Sequence, residues 1–271
     1  MKKSNIFSKS NVVLIKELVK TDFKLRYQGS LLGVAWSVLK PLMLFMVMYL
    51  VFVKFLKFTD GTPTYPIVLL LGISIWGFIA ESTSVGMQSI VSRGDLLRKI
   101  NFPKYIIIIS SVASSLISLF INLAVVLVFA IFTGVNFTGL VLLVPISVLQ
   151  LCLLVVGISL ILSTLYVKYR DISHIWDVLL QIVFYSMPII YPLVFVSKSY
   201  PIIAKLMMLN PAAQIIQDIR HNLIAPSTAP TVWNIIDNFW IAIIPVVLTF
   251  IIFIVGVVYF RKNSNKFAEI V

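Results

Sequence analysis

Residues 105–132 read YIIIISSVASSLISLFINLAVVLVFAIF, a stretch without a single charged side chain. A helix crosses the hydrocarbon core of a bilayer with about 20 mostly apolar residues, so this stretch is long enough to span the core and to tilt. In the whole chain of 271 residues, 60% are hydrophobic and only 12% are charged. Soluble domains have about a quarter charged residues. The sequence therefore predicts an all-α membrane protein.

Five other stretches have the same apolar character. The six predicted transmembrane helices are 36–56, 66–87, 105–132, 139–166, 173–195 and 238–260. The segment 196–237, before the last of them, contains four prolines, including Pro201 and Pro211. Because proline interrupts helices, this segment is predicted to be a broken re-entrant or interfacial segment. All of 1–271 is then a single transmembrane domain.

The basic residues are concentrated in four segments, namely 1–40, 88–104, 167–172 and the tail after 260. These segments hold 17 of the 22 Lys and Arg residues, and they alternate with segments that hold five. Cytoplasmic loops are the ones enriched in Lys and Arg, so we expect a multi-pass protein of the plasma membrane with both termini in the cytoplasm. The net charge of +12 flanks the apolar runs, which disfavours a nucleic-acid partner.

Residues 11–28 precede the first span and predict an amphipathic helix in the cytoplasmic interface. Its polar face is formed by Lys16, Lys20 and Lys24. Asp22 and Arg26 stand four residues apart in the acid-first order that favours pairing within a helix. The helix is either a passive interfacial anchor or a moving gate. The candidate gate residues are Asp22, Arg26 and Tyr27.

Motifs for catalysis and for metal binding are absent from the sequence. It has no phosphate loop of the form GxxxxGK[ST], no HExxH and no GxSxG. His174 and His221 fall on opposite predicted faces of the membrane, so they cannot share a metal site or a dyad. Glu81 and Asp177 are the clear carboxylates inside predicted spans, and both lie nearer the cytoplasmic side than the midplane. We therefore expect no enzyme, no metal and no cofactor in this chain, and a proton-coupled carrier is disfavoured.

Polar side chains recur in the third and fifth predicted spans. Ser110, Ser114, Ser118 and Asn122 follow one another at a spacing of four residues. Small hydroxyl residues mark either tight helix packing or the wall of a polar path, and hydroxyls and an amide suit uncharged sugar. The aromatic candidates for the same path are Tyr185 and Tyr191. They belong either to an interfacial aromatic belt or to a surface over which sugar rings slide.

Four motifs together resemble the type-2 ABC-transporter permeases that export polysaccharides such as teichoic acid, wall rhamnan and O-antigen. The first is the opening ELVKTDFKLRYQGSLLGVAWSVLKPL at 17–42. The others are LLRKINFPK at 96–104, YVKYRDI at 166–172 and LNPAAQII at 209–216. The resemblance covers nearly the whole chain in the right order.

The resemblance implies a machine of several subunits. Two copies of the permease pair, and a separate ATP-binding-cassette ATPase, which binds ATP and Mg, docks beneath them. The cargo is a glycan on a polyprenyl pyrophosphate. Segment 88–104 is then the coupling helix, although it could also be an ordinary basic loop. Its candidate contact residues are Asp95, Arg98, Lys99, Phe102 and Pro103.

Lys24, Arg26 and Lys40 are the candidates for binding the pyrophosphate head group at the cytoplasmic surface. Attraction of the same side chains to anionic lipid explains their position equally well. Three other functions stay open at this point. They are a type-2 permease for a small lipid or drug, an ion-coupled secondary carrier, and a membrane enzyme that handles lipid-linked sugar.

Overall fold

The computed structural model describes residues 9–99 and 102–267, except for the side chains of Lys9, Ser10, Tyr27 and Lys266. The regular structure of these residues is helical. The first helices are α1 (Lys9–Tyr27), α2 (Trp36–Met48, continued by a π-helical stretch, Tyr49–Phe55), α3 (Tyr65–Ser92), α4 (Gly94–Lys99) and α5 (Tyr105–Phe132). They are followed by α6 (Val144–Lys168), α7 (Ile172–Ser186), α8 (Leu193–Ser199), α9 (Pro201–Met208) and α10 (Pro211–Leu223). The last are α11 (Val232–Ile235), α12 (Phe239–Ala242) and α13 (Ile244–Asn263).

Five stretches of the described chain are long and apolar enough to cross a membrane. They are Gly33–Phe55, Tyr65–Ser92, Tyr105–Phe132, Gly139–Lys168 and Phe239–Asn263. These stretches coincide with five of the six predicted spans, and the predicted interface helix 11–28 is present as α1. A multi-pass, all-α membrane protein is therefore confirmed, whereas the count of six spans is not.

The predicted span 173–195 is wrong as a single helix. Helix α7 ends at Ser186 after 15 residues, and helix resumes only at Leu193. Fifteen residues extend about 22 Å, which is less than the roughly 30 Å of a hydrocarbon core. The prolines Pro188 and Pro192 had predicted a bend, but the chain breaks instead. Met187 adopts an extended conformation (φ −100°, ψ 152°), as residues that precede proline prefer.

Helix α3 is the centre of the bundle, since 78% of the residues in its most apolar part are buried. It packs against α5 on one side and α6 on the other, and α13 covers the far side of α6. Leu97 of α4, Val167 of α6 and Phe260 of α13 share one buried apolar cluster, so these helix ends lie together. We call this end, which also contains α1, the basic end, and the other the opposite end.

The segment before the last span folds back into the bundle from the opposite end. Asn210 and Pro211, where α9 turns into α10, line a small cavity together with Trp76 of α3 and Leu154 of α6. Trp76 is about 16 Å along α3 from its first residue, so this turn lies well inside the bundle. The Asn210 side chain caps α10 by accepting a hydrogen bond from the Ala212 amide (2.9 Å). The predicted break of this segment into short helices is thus observed in α8, α9 and α10.

Helices α6 and α13 touch through their backbones. A Cβ atom added at Gly256 would lie 2.5 Å from the Gly157 carbonyl oxygen, and one added at Gly157 would lie 2.7 Å from the Phe253 Cα. In membranes, small residues at helix contacts allow the close approach from which packing energy is gained. These two glycines therefore hold the last span on the bundle.

We predict that Gly256→Ala lowers the melting temperature of the purified protein by several degrees. The added methyl group meets backbone atoms that cannot move aside, and such overpacking costs about 1–3 kcal/mol. Gly77→Ala is the matched control, because a Cβ atom there has open space within 4 Å. It should leave the melting temperature unchanged or raise it, since Ala favours helix over Gly. Equal melting temperatures for the two variants would contradict the close contact.

Candidate functional site

Helix α1 is held on the bundle by two ion pairs. Asp22 pairs with Arg93 at the end of α3, and Arg26 pairs with Glu81 inside α3. Asp22 and Arg26 were predicted to suit each other within α1, but both use partners on another helix. The reason is that α1 packs against α5, beside α3, so that opposite charges on Glu81 and Arg93 come within reach.

The serine row of α5 lies beneath these ion pairs. Arg93 Nη1 donates a hydrogen bond to Ser110 Oγ (3.1 Å), and Arg26 Nη2 donates one to Ser115 Oγ (3.2 Å). Ser110 and Ser114 are fully buried. The part of the polar stripe around Ser110 and Ser114 is therefore packed between helices, and its hydroxyl groups accept hydrogen bonds from guanidinium groups.

A cavity of about 740 Å³ lies between α1, α2, α3 and α5. Much of its wall is apolar. Its charged side chains are Arg26, Lys40 and Glu81, and its other polar or aromatic side chains include Trp36, Ser118 and Asn122. Four of these six, namely Arg26, Lys40, Ser118 and Asn122, were predicted site residues. The structure brings them together in one place.

Asn122 ties two walls of this cavity together. Its side-chain amide donates to the Ser37 carbonyl of α2 (3.1 Å) and to the Ser118 carbonyl of α5 (2.8 Å). Asn122 lies seven residues beyond Ser115, the contact of Arg26, which is about 10 Å along α5. Within the cavity, the ion pair of Arg26 and Glu81 is thus nearer the basic end, and Ser118 and Asn122 lie farther inside.

Three predicted site residues lie elsewhere. Lys24 is on the other face of α1, in a separate groove of about 840 Å³ that Lys16 and Lys20 also line. Tyr185 is exposed near the end of α7, and the Tyr191 hydroxyl donates to the Tyr185 carbonyl (3.2 Å). Neither tyrosine lines the 740 Å³ cavity. The side chain of Tyr27 lies outside the described part of the chain.

Helix α4 presents a charged outer surface on an apolar base. Asp95, Arg98 and Lys99 are exposed, as a docking surface requires, and Leu97 is buried. Phe102 packs on the same apolar cluster as Leu97. This cluster contains residues of α3, α5, α6 and α13, so α4 is packed against four long helices through it.

The connection from α4 to α5 is also held against the rest of the chain. Pro103 is half-buried, and Lys104 donates a hydrogen bond to the Ser264 carbonyl just beyond α13. Residues 100–101 of the predicted coupling segment lie outside the described residues. Arg93, the partner of Asp22, directly precedes α4. The element predicted to meet the ATPase is therefore next in sequence to the residue that holds α1.

Residues 13–224, most of the chain, match the family described as ABC-2 type transporter. The chain belongs to this family. A relative from Myxococcus xanthus, named O-antigen export system permease protein RfbA, is 32% identical over 66% of this chain and 68% of its own length. A protein of the same name from Klebsiella pneumoniae is 26% identical over 95% of this chain and 94% of its own length. Both are proteins to which this ABC-2 transporter chain is similar.

The most buried cation in segment 196–237 of this ABC-2 transporter chain was not among the predicted site residues. Arg220 on α10 is 3% exposed and belongs to the segment that the sequence predicts to be broken and re-entrant or interfacial. Its guanidinium donates to the carbonyls of Val68 (3.1 Å), Pro188 (2.5 Å) and Ile189 (2.8 Å). Two of these carbonyls belong to the break after α7. An arginine that follows a proline break in a predicted re-entrant segment was the available signal.

Gly72 leaves room for this guanidinium. A Cβ atom at Gly72 would lie 2.0 Å from Arg220 Nη2. Beside it, Gln150 of α6 donates to Gln214 of α10 (2.7 Å) and to Thr249 of α13 (3.3 Å). Gln150, Gln214 and Thr249 thus join α6, α10 and α13, while Arg220 joins α10 to α3 and to the break after α7. Among the described residues, no group of three or more His, Cys, Asp or Glu side chains could hold a metal ion.

We predict that Asp22→Arg loosens α1, because it places two like charges together at Arg93. Backbone amides of α1 should then exchange hydrogen for deuterium faster, since local opening requires less free energy. The double variant Asp22→Arg/Arg93→Asp should restore most of the protection by exchanging the partners. Glu17→Arg is the matched control, with the same change of charge at an exposed position of α1. Equal exchange in Asp22→Arg and Glu17→Arg would show that the ion pair does not hold the helix.

Proposed function

We propose that this chain is the membrane subunit of an ATP-driven exporter of cell-surface polysaccharide. The cargo is carried on a polyprenyl pyrophosphate and moves from the cytoplasm to the outer face of the plasma membrane. Membership of the ABC-2 transporter family and the names of the relatives support this proposal. The basic end then faces the cytoplasm, with both chain termini on that side.

The observation that carries the proposal is the composition of the 740 Å³ cavity. Arg26, which contacts Ser115, is nearer the basic end of the cavity, whereas Ser118 and Asn122 lie farther in, and Lys40 also lines the wall. A pyrophosphate needs cations, and Arg can bind it through two parallel hydrogen bonds. A sugar chain needs neutral donors and acceptors, which hydroxyls and an amide provide. The order along the cavity is the order in which a lipid-linked glycan presents these groups.

The pairing of Arg26 with Glu81 suggests how cargo opens the path. Arg26 is part of α1, and its carboxylate partner lies in the cavity wall. A pyrophosphate that enters the cavity competes with Glu81 for the same guanidinium. Because the phosphate carries more charge than the carboxylate, the exchange favours release of α1 from α3. In this scheme α1 is a gate that the cargo's own head group unlocks.

Energy for transport comes from a separate ATPase with ATP and Mg bound to it. The sequence supports this division, because it has no GxxxxGK[ST] loop to hold a nucleotide. The exposed charges Asp95, Arg98 and Lys99 on α4 are the proposed contacts with the ATPase, with Phe102 and Pro103 fastening the segment. Movement of α4 is passed to α1 through Arg93 and Asp22.

A second copy of the chain completes the path. The first span, Gly33–Phe55, lines the cavity, yet none of the residues in its most apolar part is buried within the single chain. Exposed apolar side chains recur on one face of α2 at Met43, Met46 and Leu50, and on α7 at Ile175, Val178 and Ile182. A two-fold dimer would cover these stripes, and lipid covers the remaining apolar surface.

We predict that Arg26→Ala reduces surface polysaccharide about tenfold or more in cells that have this chain as their export permease. The loss corresponds to one charge-assisted contact with the head group. Immunoblots of membranes should show an unchanged amount of the chain. Arg26→Lys should give an intermediate amount of surface polysaccharide, because lysine keeps the positive charge but lacks the paired donors of the guanidinium group. Lys168→Ala, at an exposed basic position of the same end, is the control.

Glu81→Gln separates cargo binding from simple packing. It removes the partner of Arg26 but keeps Arg26 for the head group, so export should persist in this variant. If Arg26 served only to anchor α1, the Glu81→Gln and Arg26→Ala variants would lose export equally. Normal polysaccharide in Arg26→Ala would remove the head-group role. Loss of resistance to a drug, with surface polysaccharide intact in a deletion strain, would favour the small-molecule exporter instead.

We predict that Met46→Cys/Ile182→Cys, in a Cys152→Ala background, forms an oxidant-dependent covalent dimer in native membranes. Cys152 is the only cysteine of the natural sequence, so the background is free of other thiols. Both positions are exposed on the proposed dimer face. Ile254→Cys, exposed on α13 at the far side of the bundle, is the control and should remain monomeric on a denaturing gel. Cross-linking of the control alone would place the interface elsewhere.

A further inference from the structure

The face of α1 that points away from the cavity forms a second concave surface. A groove of about 840 Å³ runs between α1, the connection to α2 and α5. Its rim is formed by Lys16, Lys20 and Lys24, and Val19, Val34 and Ile117 supply apolar surface within it. Arg26 faces the other way, into the 740 Å³ cavity. The two concave surfaces are therefore separated by the helix itself.

The rim of the groove is strongly cationic. The three lysines occupy successive turns of α1 and span about 12 Å. All three are exposed, and within the described chain the structure shows no carboxylate paired with any of them. Unpaired lysines next to apolar surface attract an anion that also has an apolar part. A lipid with an anionic head group has both.

The depth of the groove matches the boundary between lipid head groups and hydrocarbon. Helix α5 has 28 residues, or about 42 Å, which exceeds the roughly 30 Å hydrocarbon core. We place this surplus at the basic end, where Arg26 of α1 covers Ser115. Ile117 follows directly beyond this covered part. The lysine rim therefore lies at head-group level, and the apolar floor points toward the acyl chains.

From this arrangement we infer that the groove binds an anionic glycerophospholipid of the membrane leaflet at the basic end. Its phosphate sits among Lys16, Lys20 and Lys24, and the upper part of an acyl chain covers Val34 and Ile117. The bound lipid fills the space between α1 and α5 and so stabilises α1 in its docked position. This role is independent of what the 740 Å³ cavity transports, because it uses the opposite face of the helix.

The test is retention of lipid by the complete purified chain, measured by native mass spectrometry in detergent doped with phosphatidylglycerol or phosphatidylcholine. The wild-type chain should retain phosphatidylglycerol in preference to phosphatidylcholine. Lys16→Gln/Lys20→Gln should lower that retention about thirtyfold, since each of the two lysines near the surface contributes roughly 1 kcal/mol. Lys168→Gln/Lys262→Gln removes the same charge at exposed positions of the same end and should retain the lipid.

Val34→Trp adds a test that leaves the charge unchanged. The indole fills the apolar part of the groove and should reduce phosphatidylglycerol retention while the lysines remain. Equal loss in the two lysine pairs, or no loss with Val34→Trp, would reduce the inference to general attraction between charges. If Lys16→Gln/Lys20→Gln lowers binding of the ATPase but not of lipid, the groove is a protein contact and the inference is wrong. Export of polysaccharide is not needed for any of these measurements.

Discussion

Peptide groups at bilayer depth need hydrogen-bond partners inside the protein, and one guanidinium meets this need where α7 stops being helical. The carbonyls of Pro188 and Ile189 have left the helix, and an unsatisfied carbonyl in such surroundings costs several kcal/mol. Arg220 reaches both and also Val68 of the central helix. The break, α3 and α10 therefore behave as one unit. A lysine could not replace this arginine, because a point charge does not present donors in a planar fork.

The two ends of the bundle use their charges differently. Arg220 is fully enclosed and bonded to neutral carbonyls, so no ion from solution can compete for it. Arg26 and Glu81 are only partly buried and line an accessible cavity. Under the proposed function, an anion that enters this cavity competes with the carboxylate for Arg26. The opposite end is built to stay assembled, whereas the basic end is built around a contact that can be substituted.

Hydropathy predicts the helices that form because the bilayer requires them. It does not predict features that depend on contacts with distant parts of the chain. The span 105–132 was predicted to the residue, because an uninterrupted apolar run can form only a helix in lipid. The prolines Pro188 and Pro192 indicate a bend in 173–195, but the carbonyls freed by the break bind Arg220, a residue far along the chain, and local hydropathy does not encode that contact. The cavity residues were predicted from spacing and family resemblance. Lys24 could have been excluded, because two residues on a helix turn through about 200° and place it opposite Arg26.

Under the proposed function, cargo and ATPase act on the same short helix. The cargo meets α1 at Arg26, and the ATPase reaches it through α4 and Arg93 at Asp22. These two positions are one helical turn apart, about 6 Å along the axis. Coupling between the cavity and the ATPase therefore needs no long chain of residues through the bundle. Either input removes one of two ion pairs, and α1 is freed only when both are lost, which links the opening of the path to cargo and nucleotide together.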